Sequence, residues 1–192
     1  MRGALALTLA SATLLVGCHP RTATPPAKNQ GVKAVHLGDE PPGSLWRAYW
    51  ATTPMAGQCR SGSCLRNGWV AQSLEGDVVA ECTSGDCGGT GWTTEWPDGT
   101  KGETQCRLKS CFREGWNTQV SDGTSVEALC NMRSCWKSGW SLKLKDGAVV
   151  QTRCTFGNCV REGWTSNVGG KIVICKCRIG DCEQNGVDCS TD

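Results

Sequence analysis

The chain contains one short unit, Cys-x4-Cys-x3-Gly-Trp, repeated six times. Its clearest copy is CRLKSCFREGW, from Cys106 to Trp116. Starting at Cys59, the first cysteines of successive copies lie 23, 24, 24, 24 and 23 residues apart, and the last copy has Gly186-Val187 in place of Gly-Trp. Repetition at such a regular period is the signature of a repeat protein, in which each unit is stabilised mainly by its neighbours.

The residues between the copies predict two β-strands per repeat. In GWNTQVSDGTSVEALC, the side chains of Trp116, Thr118 and Val120 alternate with polar ones, as in a strand with one buried face. Each such segment is interrupted by a dipeptide that favours a hairpin turn. These dipeptides are Glu75-Gly76, Asp98-Gly99, Asp122-Gly123, Asp146-Gly147 and Gly169-Gly170. We therefore predict an all-β fold: a repetitive antiparallel β-hairpin meander of about 24-residue repeats and eleven or twelve strands, forming an elongated or curled sheet.

Fourteen of the fifteen cysteines belong to the repeat region, and we expect all of them to form disulfides. Six bridges are predicted within the repeats, because the four residues between the paired cysteines are turn formers that bring the sulfurs together; bridges from one repeat to the next are the alternative. The predicted pairs are Cys59 with Cys64, Cys82 with Cys87, Cys106 with Cys111, Cys130 with Cys135, Cys154 with Cys159, and Cys177 with Cys182. The two remaining cysteines, Cys175 and Cys189, bracket the last unit and would staple a C-terminal cap over residues 175–192.

Zinc binding and thiol redox chemistry are poor alternatives for these cysteines. Structural zinc sites favour cysteines two to four residues apart with a second pair or histidines, and the chain has no Cys-x-x-Cys motif. We therefore expect no metal and no cofactor.

The first 18 residues read as an export signal. Arg2 precedes an uncharged apolar run from Ala4 to Val16, which is too short to span a bilayer and is typical of a signal peptide. The run ends in Leu-Val-Gly-Cys18, which resembles the lipobox of bacterial lipoproteins. That resemblance implies that Cys18 is acylated, with chains such as palmitate, and becomes the first residue of the mature protein. An ordinary signal peptide with a coincidental cysteine is the alternative. Because His19 rather than Asp follows, the resemblance also implies delivery to the outer membrane, on its periplasmic face or at the cell surface.

Residues 19–44 are rich in proline and lack apolar periodicity, so they predict a flexible tether between the anchor and a repeat domain spanning residues 45–192. Both histidines, His19 and His36, lie in the tether, where a solvated side chain is the simplest interpretation. Trp46 precedes Cys59 by 13 residues, the same interval as from Trp69 to Cys82, so we interpret it as the tryptophan of an incomplete leading unit.

The repeated tryptophans would form a ladder on one face of the sheet at a step of ~9.6 Å, twice the strand spacing. The ladder consists of Trp69, Trp92, Trp116, Trp140 and Trp164. Its rings either form the core of a curled sheet or are partly exposed as a binding platform for sugars or a partner protein. Trp50, Trp96 and Trp136 fall outside the repeat position and are expected to be more exposed than the ladder.

Catalytic motifs are absent from the sequence: it has no Gly-x-Ser-x-Gly elbow, no His-Glu-x-x-His, no phosphate-binding glycine loop and no histidine in the repeats. The formal net charge of +2 gives no electrostatic case for nucleic-acid binding. These features indicate that the protein is not an enzyme.

The lipobox followed by Cys-x4-Cys-x3-Gly-Trp units over about residues 59–187 is similar to the cysteine-rich repeat lipoproteins of myxobacteria. The resemblance implies a non-catalytic protein of the outer membrane or cell surface with a role such as gliding motility, adhesion or cell contact. We therefore expect a structural or protein-interaction module, held at the membrane by its lipid and engaging an envelope or surface protein. The alternative is a glycan-binding module that uses the tryptophan ladder on exopolysaccharide or peptidoglycan.

Overall fold

A computed structural model describes residues 44–73 and 76–192, which form a nine-residue helix followed by twelve antiparallel strands connected by turns and short helical segments. The helix is α1 (Ser44–Thr52). The strands are β1 (Gln58–Cys59), β2 (Trp69–Ser73), β3 (Gly76–Cys82), β4 (Gly91–Glu95), β5 (Lys101–Cys106), β6 (Trp116–Val120), β7 (Ser125–Cys130), β8 (Trp140–Leu144), β9 (Val149–Cys154), β10 (Trp164–Val168), β11 (Lys171–Cys177) and β12 (Val187–Thr191). The predicted signal peptide, Cys18, and the tether up to residue 43 lie outside the described residues.

The strands pair strictly in sequence order, so the predicted antiparallel hairpin meander is confirmed. Of the two predicted shapes, the curled one is found. The sheet bends until its ends meet, where the Val187 N–H of β12 donates a 2.8 Å hydrogen bond to the carbonyl oxygen of Gly57, directly before β1. The result is a nearly closed barrel of twelve strands.

Alternation along the strands divides the side chains between the inside and the outside of the barrel. In β6 the side chains of Trp116, Thr118 and Val120 are buried, whereas those of Asn117 and Gln119 are exposed, as the sequence pattern predicted. The buried hydroxyls are paired across strands, because Thr104 and Thr118 form a 2.7 Å hydrogen bond. The interior is therefore lined by tryptophans, small apolar residues and hydrogen-bonded hydroxyls.

The glycine before each repeat tryptophan makes a close backbone approach to the neighbouring strand. A Cβ atom built on these glycines would lie only 1.8 to 2.1 Å from a carbonyl oxygen of that strand. The contacts pair Gly68 with Ala80, Gly91 with Thr104, Gly115 with Ala128, Gly139 with Thr152, Gly163 with Cys175, and Gly186 with Gly57. Only glycine fits such a contact. Five of these contacts join the two strands that flank a hairpin turn, and the sixth, which reaches back to Gly57, closes the barrel.

Helix α1 lies inside the barrel and contains Trp46, which corrects the interpretation of Trp46 as the tryptophan of an incomplete leading unit. The helix contacts strands on different sides of the barrel: Tyr49 donates a 3.0 Å hydrogen bond to Ser166 of β10, and the Trp92 indole of β4 donates a 3.1 Å bond to the Ala51 carbonyl. The segment WRAYWA has apolar residues on almost every side, as expected of a fully surrounded helix. The sequence pattern did not predict α1, because nine residues are too few to establish helical periodicity.

The hairpin turns correct the prediction in one detail. In the Asp122-Gly123 turn, the Val120 N–H bonds to the Thr124 carbonyl oxygen, so the loop has three residues, and only Gly123 has a positive φ. The Asp122 carboxylate instead accepts a 2.8 Å hydrogen bond from the Thr124 N–H. This is the three-residue hairpin loop whose last residue is left-handed. Gly169 and Gly170 both have positive φ and form the predicted two-residue turn.

The two ends of the barrel differ, and α1 begins at the end that carries the hairpin turns. Arg47 reaches Asp98 in such a turn, with 2.8 Å between its Nη2 and the Asp98 Oδ2, and Leu45 lies beside Gly169 in another. We call this the turn end. The opposite end carries the six loops that link each cysteine pair, and we call it the cysteine-loop rim.

We expect Gly115→Ala to destabilise the protein far more than Gly123→Ala. Both glycines have φ near +95°, at +98° and +91°, but a Cβ at Gly115 would meet the Ala128 oxygen, whereas a Cβ at Gly123 would meet nothing. The left-handed backbone alone costs roughly 1 to 2 kcal/mol, and the clash should add at least about 2 kcal/mol for Gly115. Guanidinium unfolding without reductant, followed by tryptophan fluorescence, measures both values. Equal losses would refute the close approach.

Tyr49 should keep its proton until the barrel unfolds in alkali. Burial raises the pKa of this phenol above its ordinary value of about 10, whereas the unfolded chain ionises near that value. The stability contributed by the protonated phenol is therefore complete below about pH 10 and is lost as pH rises above it. Because Tyr49 is the only tyrosine, tyrosinate absorbance reports this group alone.

The absorbance change should coincide with loss of the far-ultraviolet strand signal. In Tyr49→Phe, the alkaline unfolding that remains must come from other groups, so its difference from the wild-type curve isolates the phenol. Tyrosinate formation near pH 10 in a protein that is still folded would contradict the burial of Tyr49.

Candidate interaction surface at the cysteine-loop rim

Every cysteine pair in the repeats is closed by a disulfide, and these bridges form the cysteine-loop rim. The six bridges join cysteines five residues apart, with Cα–Cα distances between 4.4 and 4.6 Å. The within-repeat connectivity is thus the one found. The seventh predicted bridge is present too: Cys175 and Cys189 face each other on β11 and β12, with Cα atoms 4.0 Å apart.

In most repeats, the loop contains a 3₁₀ turn followed by one turn of α-helix. The helical turns are α2 (Cys64–Asn67), α3 (Cys111–Glu114), α4 (Cys135–Ser138), α5 (Cys159–Glu162) and α6 (Cys182–Asn185). Neighbouring loops are joined by backbone hydrogen bonds, such as the 2.8 Å bond from the Cys111 N–H to the Gly88 carbonyl oxygen. Contacts between α6 and α2 complete the rim at the barrel closure. The loops therefore form a continuous, cross-linked surface.

Four of these loops present an apolar side chain to solvent from an equivalent position. The position is the second of the four residues between the cysteines. Its occupants are Leu108, Met132, Phe156 and Ile179, with 84, 88, 92 and 93 % of their surface exposed, respectively. We call these four residues the apolar arc, because they come from four successive repeats. The first two repeats have Ser61 and Ser84 at this position.

The backbone at the apolar arc gives no structural reason for apolar residues. All four residues have left-handed φ values of 46° or 47°. Glycine, asparagine and aspartate tolerate this region best, and a β-branched residue such as Ile179 is an outlier there. Ser84 adopts a similar φ of 53° in the second repeat, so a polar residue serves the loop equally well. The arc therefore combines backbone strain with exposed apolar surface, a combination that points to a functional role.

Basic side chains flank the arc, and several are held by ion pairs. Arg133, next to Met132, lies 2.8 Å from the Glu114 carboxylate, and this hydrogen bond lowers the pKa of Glu114 and raises the pKa of Arg133. Arg107 pairs with Glu127, and Arg178 lies 2.7 Å from Asp188. In contrast, no ion pair within residues 44–73 and 76–192 involves Lys109, Lys137 or Arg161. The rim over repeats three and four thus has unpaired positive charge at Lys109 and Lys137, next to Leu108 and Met132, whereas repeats five and six also contain Glu162 and Glu183.

The tryptophan ladder lies inside the barrel. Its five rings are 0 to 3 % exposed, and successive centroids are 5.4 to 5.9 Å apart. This spacing is much shorter than the expected ~9.6 Å, because side chains on the concave face of a curled sheet converge. The five ladder rings therefore belong to the core of the curled sheet and do not form an exposed platform. The other three tryptophans are more exposed than the ladder, as expected, but two of them are still buried: Trp50 on α1 is 7 % exposed and Trp96 is 9 % exposed. Trp136 is half-buried and stacks on Phe112.

The aspartates of the hairpin turns have backbone roles at the turn end. Asp98 accepts a 2.9 Å hydrogen bond from the Thr100 N–H, which lowers the pKa of its carboxyl group. Among the described residues, no group of three or more histidine, cysteine, aspartate or glutamate side chains is placed to bind a metal. None of the described helices is long and apolar enough to cross a bilayer.

Sequence reasoning placed the disulfides correctly but did not single out the apolar arc. A signal for it was present: the residues between paired cysteines read RLKS, NMRS, TFGN and RIGD in repeats three to six, with an apolar residue second in each. An apolar side chain amid turn formers is unusual. Its exposure became visible only when the fold showed that this position lies at the tip of the loop.

No protein-family model matches the sequence, and no curated protein or solved structure is significantly similar to it.

We expect acrylamide to quench only a small part of the intrinsic fluorescence, and mainly that of Trp136. The ladder rings are buried, whereas Trp136 lies at the rim. Trp136→Phe should remove most of the quenchable fraction, and Trp140→Phe, which removes a buried ring, should leave it unchanged. Extensive quenching of the folded Trp136→Phe variant, or a blue shift on adding polysaccharide, would show that the ladder is accessible.

Proposed function

We propose that this chain is a non-catalytic, lipid-anchored lipoprotein of the outer membrane or cell surface. It acts as a rigid interaction module held away from the membrane by its tether. The observation that carries the proposal is the complete pairing of Cys59 through Cys189 into seven disulfides. Such dense cross-linking favours an oxidising compartment outside the cytoplasm. The Leu-Val-Gly-Cys18 motif supports an anchor in the same setting.

An interaction role is supported by the way the barrel presents its two ends. The described chain begins at the turn end, where Arg47 contacts Asp98, so a tether joined at Ser44 leaves the opposite end of the barrel free. That opposite end is the cysteine-loop rim with the apolar arc. Exposed apolar residues on a rigid, cross-linked frame are suited to binding, because little conformational entropy is lost on contact. Within the envelope, this arrangement suits a role in adhesion, cell contact or gliding motility, and the myxobacterial repeat pattern favours the same setting.

Glycan recognition by the tryptophan ladder remains the second hypothesis, but no observation favours it. Stacking of a sugar on an indole requires an exposed ring face, and the ladder rings are packed inside the barrel. Catalysis is likewise not part of the proposal, in keeping with the lack of known catalytic motifs in the sequence.

Cys18→Ala should release the protein from the membrane and abolish its acylation. We expect labelled palmitate to enter the wild-type chain and the wild type to partition into detergent, because several acyl chains give durable anchoring. The matched control is the double variant Cys175→Ala with Cys189→Ala, which also lacks cysteines but keeps the lipobox, and it should remain labelled. Unchanged labelling and membrane association of Cys18→Ala would exclude this anchor.

A further inference from the structure

We propose that the apolar arc is a lipid-docking surface, which inserts into the interface of a bilayer that contains anionic lipids. The inference goes beyond the proposed function. It rests on the geometry of the rim and not on Cys18, so the two proposals can fail separately.

The form of the apolar surface supports lipid docking. Leu108, Met132, Phe156 and Ile179 are almost fully exposed, and each stands at the tip of its own loop. Equivalent residues of neighbouring repeats are two strands apart, which is ~9.6 Å along a sheet. Protein interfaces gain most from contiguous patches with anchors in fitted pockets. Isolated apolar tips at the end of a polar surface fit a fluid apolar medium better.

The four residues of the apolar arc differ in chemistry although they occupy one structural position. The four residues are a γ-branched, a thioether, an aromatic and a β-branched side chain, although their loops have nearly the same backbone conformation. A protein pocket selects for shape, so it would not be satisfied by such different residues in equivalent places. A lipid interface requires only that the side chains be apolar.

Basic side chains at the rim also support docking to anionic lipids. Lys109 is adjacent to Leu108, while Lys137 and Arg161 lie on the helical turns α4 and α5 of the same rim. No ion pair in the described part of the chain engages these three residues. Arg161 has Glu162 beside it on α5, so the charges available to lipid phosphates are those of Lys109 and Lys137. Apolar residues that insert, together with basic residues beside them, are the pattern of surfaces that bind anionic membranes.

The apolar arc is rigid and occupies only the part of the rim formed by repeats three to six. Each tip lies in a loop closed by a disulfide, as Phe156 does between Cys154 and Cys159. The sector formed by the first two repeats has serines at the tip position, Ser61 and Ser84. A bilayer approached by this end of the barrel would therefore contact repeats three to six.

The test compares the full wild-type chain with a variant in which Leu108, Met132, Phe156 and Ile179 are all replaced by serine. Ser84 already occupies this loop position, so the variant should fold, which circular dichroism and the absence of free thiols would verify. The matched control is Val149→Ser, which removes an apolar side chain that is 53 % exposed on the outer wall at β9. All three chains are compared in the Cys18→Ala background, because an acyl anchor would hold every variant on the vesicles whatever the arc contributes.

Flotation with phosphatidylcholine vesicles containing phosphatidylglycerol measures the partition coefficient. We expect the four-serine variant to bind on the order of 10-fold more weakly than the wild type, because it lacks the inserting side chains. Val149→Ser should bind as the wild type does. Replacing Lys109 and Lys137 by glutamate should weaken binding to these vesicles but not to vesicles of phosphatidylcholine alone.

A second measurement detects contact between the apolar arc and lipid directly. Hydrogen exchange of the wild-type chain should slow at residues 155–157 and in the equivalent loops when vesicles are added, but not at residues 83–85. Equal partitioning of the wild type and the four-serine variant, or unprotected loops in vesicle-bound protein, would overturn the proposal.

Two further outcomes would assign the arc to another partner. If the wild type forms a dimer without lipid and the four-serine variant does not, the arc is a contact between copies of the chain. A photo-crosslinker at position 156 in cells that yields protein adducts but no lipid adducts would identify a protein partner. Either result would overturn lipid docking while leaving the proposed anchor at Cys18 intact.

Discussion

The barrel depends on one repeated backbone contact. At the glycine before each repeat tryptophan, the chain passes so close to a carbonyl oxygen of the neighbouring strand that a side chain cannot fit. This contact joins the two strands that flank each hairpin turn, at their ends nearest the rim, and the tryptophan that follows the glycine is buried inside the barrel. Its sixth copy joins Gly186 to Gly57, where β12 meets the start of β1. A local contact repeated without change thus becomes a closed structure, because each copy adds a similar curvature.

Closure creates an interior that the strands alone do not fill, and α1 completes it. The helix places Tyr49 and Trp50 among the ladder tryptophans, and Tyr49 binds Ser166 across the interior. The last repeat has Val187 where the others have tryptophan. Its N–H bonds to Gly57, directly after the buried residues Met55 and Ala56.

The disulfides stabilise the rim, and the buried side chains of the core stabilise the interior. Each short bridge closes a loop of few residues, so it removes roughly 2 kcal/mol of unfolded-state entropy in the chain-entropy model, while the buried tryptophans provide most of the apolar surface. Because the bridges hold the loop tips, the rim can present residues with unfavourable backbone angles, as at Ile179. Among the residues that the structure describes, the other exposed large apolar side chains are Leu129 and Val149 on the outer wall, which are 39 and 53 % exposed. The apolar arc is therefore the surface on which proposals for binding concentrate.

The sequence by itself determined the repeat unit, the two strands per repeat, the disulfide partners within each loop and the inward alternation of residues such as Trp116 and Val120. These features depend on neighbours in the chain, and local patterns record them. Only the tertiary structure decided that the sheet closes, that α1 fills it and that Phe156 is exposed while Trp140 is buried. Each of these depends on how many hairpins complete a turn and on which space remains inside them, and no short stretch of residues encodes that sum.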